Sequence, residues 1–79
     1  MRSITIHSGR TLNSRQAANF VYNLSSLPFG IWITKDNRRI NAKSILGVLS
    51  INIQSGDLIE LSLDSENDSD IDKVVQELT

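Results

Sequence analysis

The chain has 79 residues, with 8 Lys plus Arg against 9 Asp plus Glu, a net charge of −1, one histidine and no cysteine. That length sets one small domain with a thin core, and the near-neutral balance argues against a general nucleic-acid binder, although Arg10, Arg15, Arg38, Arg39 and Lys43 leave a local basic patch open. Disulfide frameworks, thiolate metal sites and His-rich metal clusters are excluded, and no apolar run reaches the length of a membrane span.

Residues Ser3 to His7 alternate, with Ile4 and Ile6 on one side, as in a half-buried strand. Ser8-Gly9-Arg10-Thr11 breaks the pattern as a loop. Ala17, Phe20, Val21 and Leu24 recur at i, i+3, i+4 and i+7 and predict one helix face. Asn13 or Ser14 can cap that helix, and Pro28 and Gly30 are expected to end it. Ile31 to Thr34 reads as a second strand, with Trp32 facing away from Ile31 and Ile33. Lys35-Asp36-Asn37 supplies turn chemistry, and Arg38 to Asn41 returns as a third strand. Ser44 is placed to cap a short apolar helix from Ile45 to about Ser50. Gln54-Ser55-Gly56-Asp57 is a turn, and Leu58 to Leu63 a fourth strand with Ile59, Leu61 and Leu63 on its core face. After the acidic connection Asp64 to Asp68, Ile71, Val74, Val75 and Leu78 mark a last helix. Asp70 and Asp72 are expected in its first turn, on the favourable side of the helix dipole. The order is βαββαβα, in the α+β class. One antiparallel sheet with helices on one face would bury every apolar stripe. Phe20, Val21, Leu24, Ile59, Leu61, Val74 and Leu78 are the expected shared core, in a single domain spanning 1–79.

Two segments carry chemistry. Asn41-Ala42-Lys43-Ser44-Ile45-Leu46-Gly47, continued by Val48-Leu49-Ser50-Ile51, resembles the regulatory-serine segment of HPr, the small phosphocarrier of the bacterial sugar phosphotransferase system. Thr11-Leu12-Asn13-Ser14-Arg15-Gln16-Ala17 matches, with departures, the family's phosphohistidine segment Gly-Leu-His-Ala-Arg-Pro-Ala. The resemblance runs essentially end to end and implies the HPr open-faced β-sandwich, with sheet order 1-4-2-3. Asn13 stands where the family has histidine. An imidazole nitrogen is a good nucleophile near neutral pH. A carboxamide nitrogen, delocalised into its carbonyl, is not, so Asn13 reads as a helix cap. Arg15 matches the arginine that helps hold the phosphoryl group, and its guanidinium fork suits an anion or an acidic partner residue as well as it suits plain solvation. Gln16 replaces the family's proline and Thr11 its first glycine. His7, the only imidazole, falls at the end of the first strand and is read as a strand-end residue. Asp64, Glu66, Asp68, Asp70 and Asp72 lack the glycine and closing glutamate of an EF-hand loop and read as a solvated run.

Ser44 is the expected regulatory phosphorylation site. A capping serine is ordinary, but Lys43 precedes it as a candidate contact for an anion or partner, and Ile45, Leu46 and Leu49 load a very short helix with more apolar surface than it can bury. Exposed apolar side chains at such a place mark a docking surface. The resemblance is to the catabolite-repression branch of the family, which lacks the histidine and keeps the serine. It implies a non-enzymatic cytoplasmic protein without metal or cofactor. Its partners would be the bifunctional HPr kinase/phosphorylase and a LacI-type catabolite control regulator, with the enzymes of the phosphotransferase system as further candidates and neither nucleic acid nor membrane contacted directly. The competing readings are a sugar-transport phosphocarrier using another nucleophile, and an unphosphorylated interaction module that keeps only the fold.

Overall fold

The computed structural model describes all of residues 1–79. Its elements are β1 (Arg2–His7), α1 (Ser14–Ser25), β2 (Ile31–Lys35), β3 (Arg38–Asn41), α2 (Ile45–Ser50), β4 (Leu58–Leu63) and α3 (Asp68–Gln76). The four strands form one antiparallel sheet in the order β1-β4-β2-β3. Strand alternation puts Ile4, Leu61, Ile33 and Ile40 in register across all four strands on one face. The next row on that face is Ile6 opposite Ile59, and on the other side Leu63 pairs Ile31. The three helices cover this face, and Phe20, Leu24, Val48, Val74 and Leu78 join it in one core. The opposite face carries Ser3, Ser62, Trp32 and Asn41 in one row and Thr5, Glu60, Thr34 and Arg39 in another. There the Trp32 ring lies over Gly30, where an added Cβ would come within 2.3 Å of it. The Arg39 guanidinium stands 5.1 Å from the ring centroid on that face.

The hairpin between β2 and β3 turns on Asp36 and Asn37, both with positive φ (51° and 66°). Two successive left-handed residues match the right-handed twist of the flanking strands, and Asp and Asn tolerate that conformation better than most residues. No helix is long and apolar enough to cross a membrane.

Three expectations need correction. Helix α1 stops at Ser25, with Ser26 as its C-cap, before Pro28 is reached. The Ser25 and Ser26 hydroxyls donate to the Tyr22 and Asn23 carbonyls at 2.6 and 3.2 Å, so the last turn is taken up by local bonds that compete with continuing the helix. Helix α3 begins at Asp68, so Asp68 and Asp70 occupy its first turn and Asp72 falls one turn later. Val21 is only half-buried, on the edge of the apolar stripe and not in the core.

Two carboxylates are held below the ordinary value. The Asp57 carboxyl is lowered first by the Lys35 ammonium, 2.7 Å away, and then by the Gln54 N–H. The Asp70 carboxyl is lowered first by the Ser65 hydroxyl, at 2.5 Å, and also by Lys73. In both cases the folded chain favours the ionised form, so the stabilisation is complete above the unfolded value near 3.8 and is lost as pH falls through the depressed folded values. The thermal midpoint should therefore fall as pH is taken from 5 to below 3, and Asp57→Asn should flatten that fall. A midpoint independent of pH in this window would contradict the two assignments. For the core, Phe20 and Leu61 are 2% and 0% exposed. Truncation of either to alanine should cost about 2–5 kcal/mol in denaturant unfolding.

Candidate functional site

The segment before α1 is fixed by a set of short bonds to the loop that precedes β4. The Ser8 N–H donates to Asp57 O at 2.8 Å, the Gly56 N–H to Ser8 O at 2.6 Å, and the Leu12 N–H to Ile53 O at 2.9 Å. The Ser8 hydroxyl donates to Arg10 O at 2.7 Å. Thr11, which departs from the family glycine, accepts the Ser55 N–H on its hydroxyl at 3.0 Å. Gly9 passes against the end of α3, where a Cβ would meet Leu78 O at 3.2 Å. Leu12 is buried and anchors the entry to the helix. Asn13 is thereby delivered to the N-cap with extended backbone (φ −72°, ψ −178°), and its Oδ1 accepts the Gln16 N–H at 2.9 Å.

That bond joins two of the departures from the family pattern. A proline at position 16 would have no N–H to offer. Asn13 in place of histidine and Gln16 in place of proline thus make one hydrogen bond together, and it satisfies one of the orphan donors at the helix start. Arg15 is exposed on the second residue of α1, and none of the ion pairs in the chain includes it. His7 pairs with Leu58 at the end of β1 and shares strand parity with Ser3 and Thr5, on the face away from the helices. The fold does not bring it to the start of α1.

The second segment is built just as tightly. Asn41 ends β3 by accepting the Lys43 N–H on its side chain at 2.9 Å and the Ser44 N–H on its carbonyl at 3.0 Å. Ser44 then caps α2, its Oγ accepting the Gly47 N–H at 3.2 Å. Gly47 lets the helix lie close on β3, since a Cβ there would meet Ile40 Cβ at 3.3 Å and Asn41 O at 3.4 Å. At the other end Arg38 donates to Ser50 O at 2.9 Å, and Lys35 to Ile51 O and Asn52 O at 3.0 and 2.8 Å. Cations there suit the negative end of the helix. Lys43, expected to face an anion or partner, donates from Nζ to Leu27 O at 2.5 Å and so ties α2 to the segment after α1.

Of the residues of α2, only Val48 is buried. Ile45 and Leu49 are each 37% exposed and Leu46 78%, so the three apolar residues singled out in the sequence do form an open surface beside Ser44. The structure adds one residue the sequence reading missed. Tyr22 is 78% exposed and shares an i, i+3, i+7 ridge of α1 with Ala18 and Arg15. Helix α1 packs beside α2. The available signal was that Tyr22 falls outside the Ala17, Phe20 and Leu24 stripe, so no core demand explains an aromatic ring there. No three His, Asp or Glu side chains are grouped to hold a metal ion.

Residues 1–79 match the family model described as "PTS HPr component phosphorylation site". The phosphocarrier protein HPr of Neisseria meningitidis serogroup A is 29% identical over 77 residues, covering 98% of this chain and 86% of that protein. The HPr-like protein Crh of Halalkalibacterium halodurans is 37% identical over 59 residues, 75% of this chain and 70% of that protein. The crystal structure of phosphocarrier protein HPr from Bacillus anthracis superposes with a TM-score of 0.88 at 25% identity, covering 99% of this chain and 96% of that one.

The shared hydrogen bond at the start of α1 gives a test by double-mutant cycle. Asn13→Ala should cost about 1 kcal/mol of stability, as loss of an N-cap does. In a Gln16→Pro background the same substitution should cost close to nothing, because the N–H it would orphan is gone. Equal costs in both backgrounds would mean that Asn13 stabilises the chain by some other contact.

Proposed function

The chain belongs to the HPr family of the bacterial phosphotransferase system, whose members are phosphocarrier proteins and not enzymes in their own right, and from that membership we propose that it is a regulatory member switched by phosphorylation of Ser44. The observation that carries this reading is the apolar surface of Ile45, Leu46 and Leu49, left open around a serine at the start of α2. The absence of an imidazole at position 13 supports it from the other side. The similarity to a relative named HPr-like protein Crh, and not only to phosphocarriers, also supports it.

In the proposed cycle the HPr kinase/phosphorylase transfers the γ-phosphoryl of ATP to Ser44 Oγ. That oxygen accepts one hydrogen bond from Gly47, and its own proton is available to the kinase's general base. The product carries about 1.5 to 2 added negative charges and three strong acceptor oxygens. A LacI-type catabolite control regulator would read them with arginine or lysine side chains, while its apolar surface covers Leu46 and its neighbours. Binding of this kind takes specificity from the charge and area from the apolar patch. Lys43 is engaged at Leu27 O, so the countercharge has to come from the partner.

A second reading follows from the relatives named as phosphocarriers. Arg15 remains exposed at the start of α1, as a group receiving a phosphoryl from enzyme I would need. The nucleophile is what that reading lacks, since Asn13 Oδ1 is engaged with Gln16 and its amide nitrogen carries almost no nucleophilicity.

One experiment separates the two. Incubation with ATP and HPr kinase should label the chain stoichiometrically, and Ser44→Ala should abolish the label. Incubation with phosphoenolpyruvate and enzyme I should give no acid-labile phosphoprotein. Labelling that moved to Ser50, or a phosphohistidine at His7, would overturn the proposal. Leu46→Ala should weaken binding of the phosphorylated chain to the regulator by about tenfold, or 1.4 kcal/mol, with the thermal midpoint unchanged because that side chain is 78% exposed.

A further inference from the structure

Between one flank of α1 and the C-terminal cap of α3 lies a cavity of about 240 Å³ that the regulatory reading does not use. Its floor is Leu12 and Phe20, both belonging to the core. Its walls are polar. Gln16, Asn19 and Asn23 bring three carboxamides to one flank of α1 at i, i+3 and i+7, and Arg10 and Glu77 add one charge of each sign.

The two charges share a cavity without pairing, for no ion pair joins them. The Glu77 carboxylate is oriented by Asn23, whose Nδ2 donates to Oε1 at 2.7 Å. Arg10 and Gln16 enter hydrogen bonds through backbone atoms, which leaves the guanidinium fork and the carboxamide free for a ligand. A phosphate or dicarboxylate would meet Glu77 as a like charge in a small space, and a simple amine would meet Arg10 in the same way. A neutral sugar would leave both charges unanswered, and Phe20, 2% exposed, offers it no open aromatic face. A volume of about 240 Å³ gives room for a ligand the size of a free amino acid.

We propose that this cavity binds a small zwitterion of free-amino-acid size. Its carboxylate lies in the planar fork of Arg10, a geometry suited to bidentate pairing. Its ammonium lies against the Glu77 carboxylate oxygen that Asn23 leaves free, and the carboxamides of Gln16 and Asn19 bond its remaining polar atoms. The site is independent of Ser44 and is read on the unphosphorylated chain without the kinase, so its failure leaves the regulatory reading untouched.

The test is a ¹H–¹⁵N NMR titration of the full chain with glycine, L-serine and L-glutamine, with glucose and inorganic phosphate as controls. At least one amino acid should shift the Arg10, Gln16 and Asn19 amides and the Asn23 side-chain NH₂ saturably within about 10 mM. Glucose and phosphate should leave those signals in place. Arg10→Gln and Glu77→Gln, each checked for native circular dichroism, should each weaken the binding at least tenfold, and Leu46→Ala should leave it unchanged. The proposal falls if none of the three amino acids gives saturable shifts, if phosphate or glucose gives the same response, or if binding survives both charge-removing variants.

Discussion

Almost everything of interest in this chain depends on β4 pairing between β1 and β2. The last strand in sequence is central in the sheet, and its Leu61 completes the apolar row that runs from Ile4 through Ile33 to Ile40. That insertion fixes more than the sheet. The residues that lead into β4, from Ile53 to Asp57, hold Ser8, Thr11 and Leu12 by backbone and side-chain bonds. Asp57 in turn pairs with Lys35, which closes the end of α2. One late, long-range pairing therefore sets the entry to α1 and the exit from α2 together. Contacts so distant in sequence carry a large loop-closure cost before they stabilise anything, so the two segments that carry the family resemblance are both ordered only when the whole fold is.

The start of α1 shows how departures from the family pattern at neighbouring positions can act together. A phosphoryl group held there would use a nucleophilic ring and free N–H donors at the helix end. In this chain one of those donors, on Gln16, is taken by Asn13. An anion at the same place would have to displace that bond. The substitutions at positions 13 and 16 are individually ordinary and jointly coherent, since together they cap the helix end. Thr11 belongs with them, since its hydroxyl adds a bond to Ser55 that the family's glycine could not make.

Most of the architecture was legible in the sequence because each element carries its own punctuation. The bounds of β3, α2 and β4 follow directly from the Asp36-Asn37 turn, the Ser44 cap and the Gly56-Asp57 turn. The two errors in helix bounds share a cause, which is competition among local bonds that pattern alone does not rank. Pro28 is the stronger helix breaker, yet Ser25 and Ser26 end α1 first by bonding back to Tyr22 and Asn23. At α3, Ser65 and Asn67 set an earlier start than the apolar period suggested: the Ser65 hydroxyl accepts the Asn67 N–H and donates to Asp70. The apolar surface on α2 was legible because four large residues on so short a helix cannot all find a core. The cavity was not, because Arg10 and Glu77 lie on elements that meet only through tertiary packing, where the Gly9 N–H bonds Leu78 O.

The construction of α2 also bears on how a signal at Ser44 would travel. A helix of six residues is too short to be stable on its own, and here it is clamped at both ends, by Ser44 and Asn41 at the start and by Arg38 and Lys35 at the finish. Its contact with the sheet is close, with Gly47 against Ile40, and its sole buried side chain is Val48. Such a helix has little room to shift and little apolar surface left to rearrange inward. Added charge at its start would therefore act where it is, on whatever docks against Leu46 and its neighbours. A conformational relay needs an element with two discrete arrangements, and the clamps at both ends of α2 oppose a second one. On this physical ground a phosphate at Ser44 would change the surface and not the fold: Ser44 and the apolar patch keep their register, and the discrimination would fall to the partner.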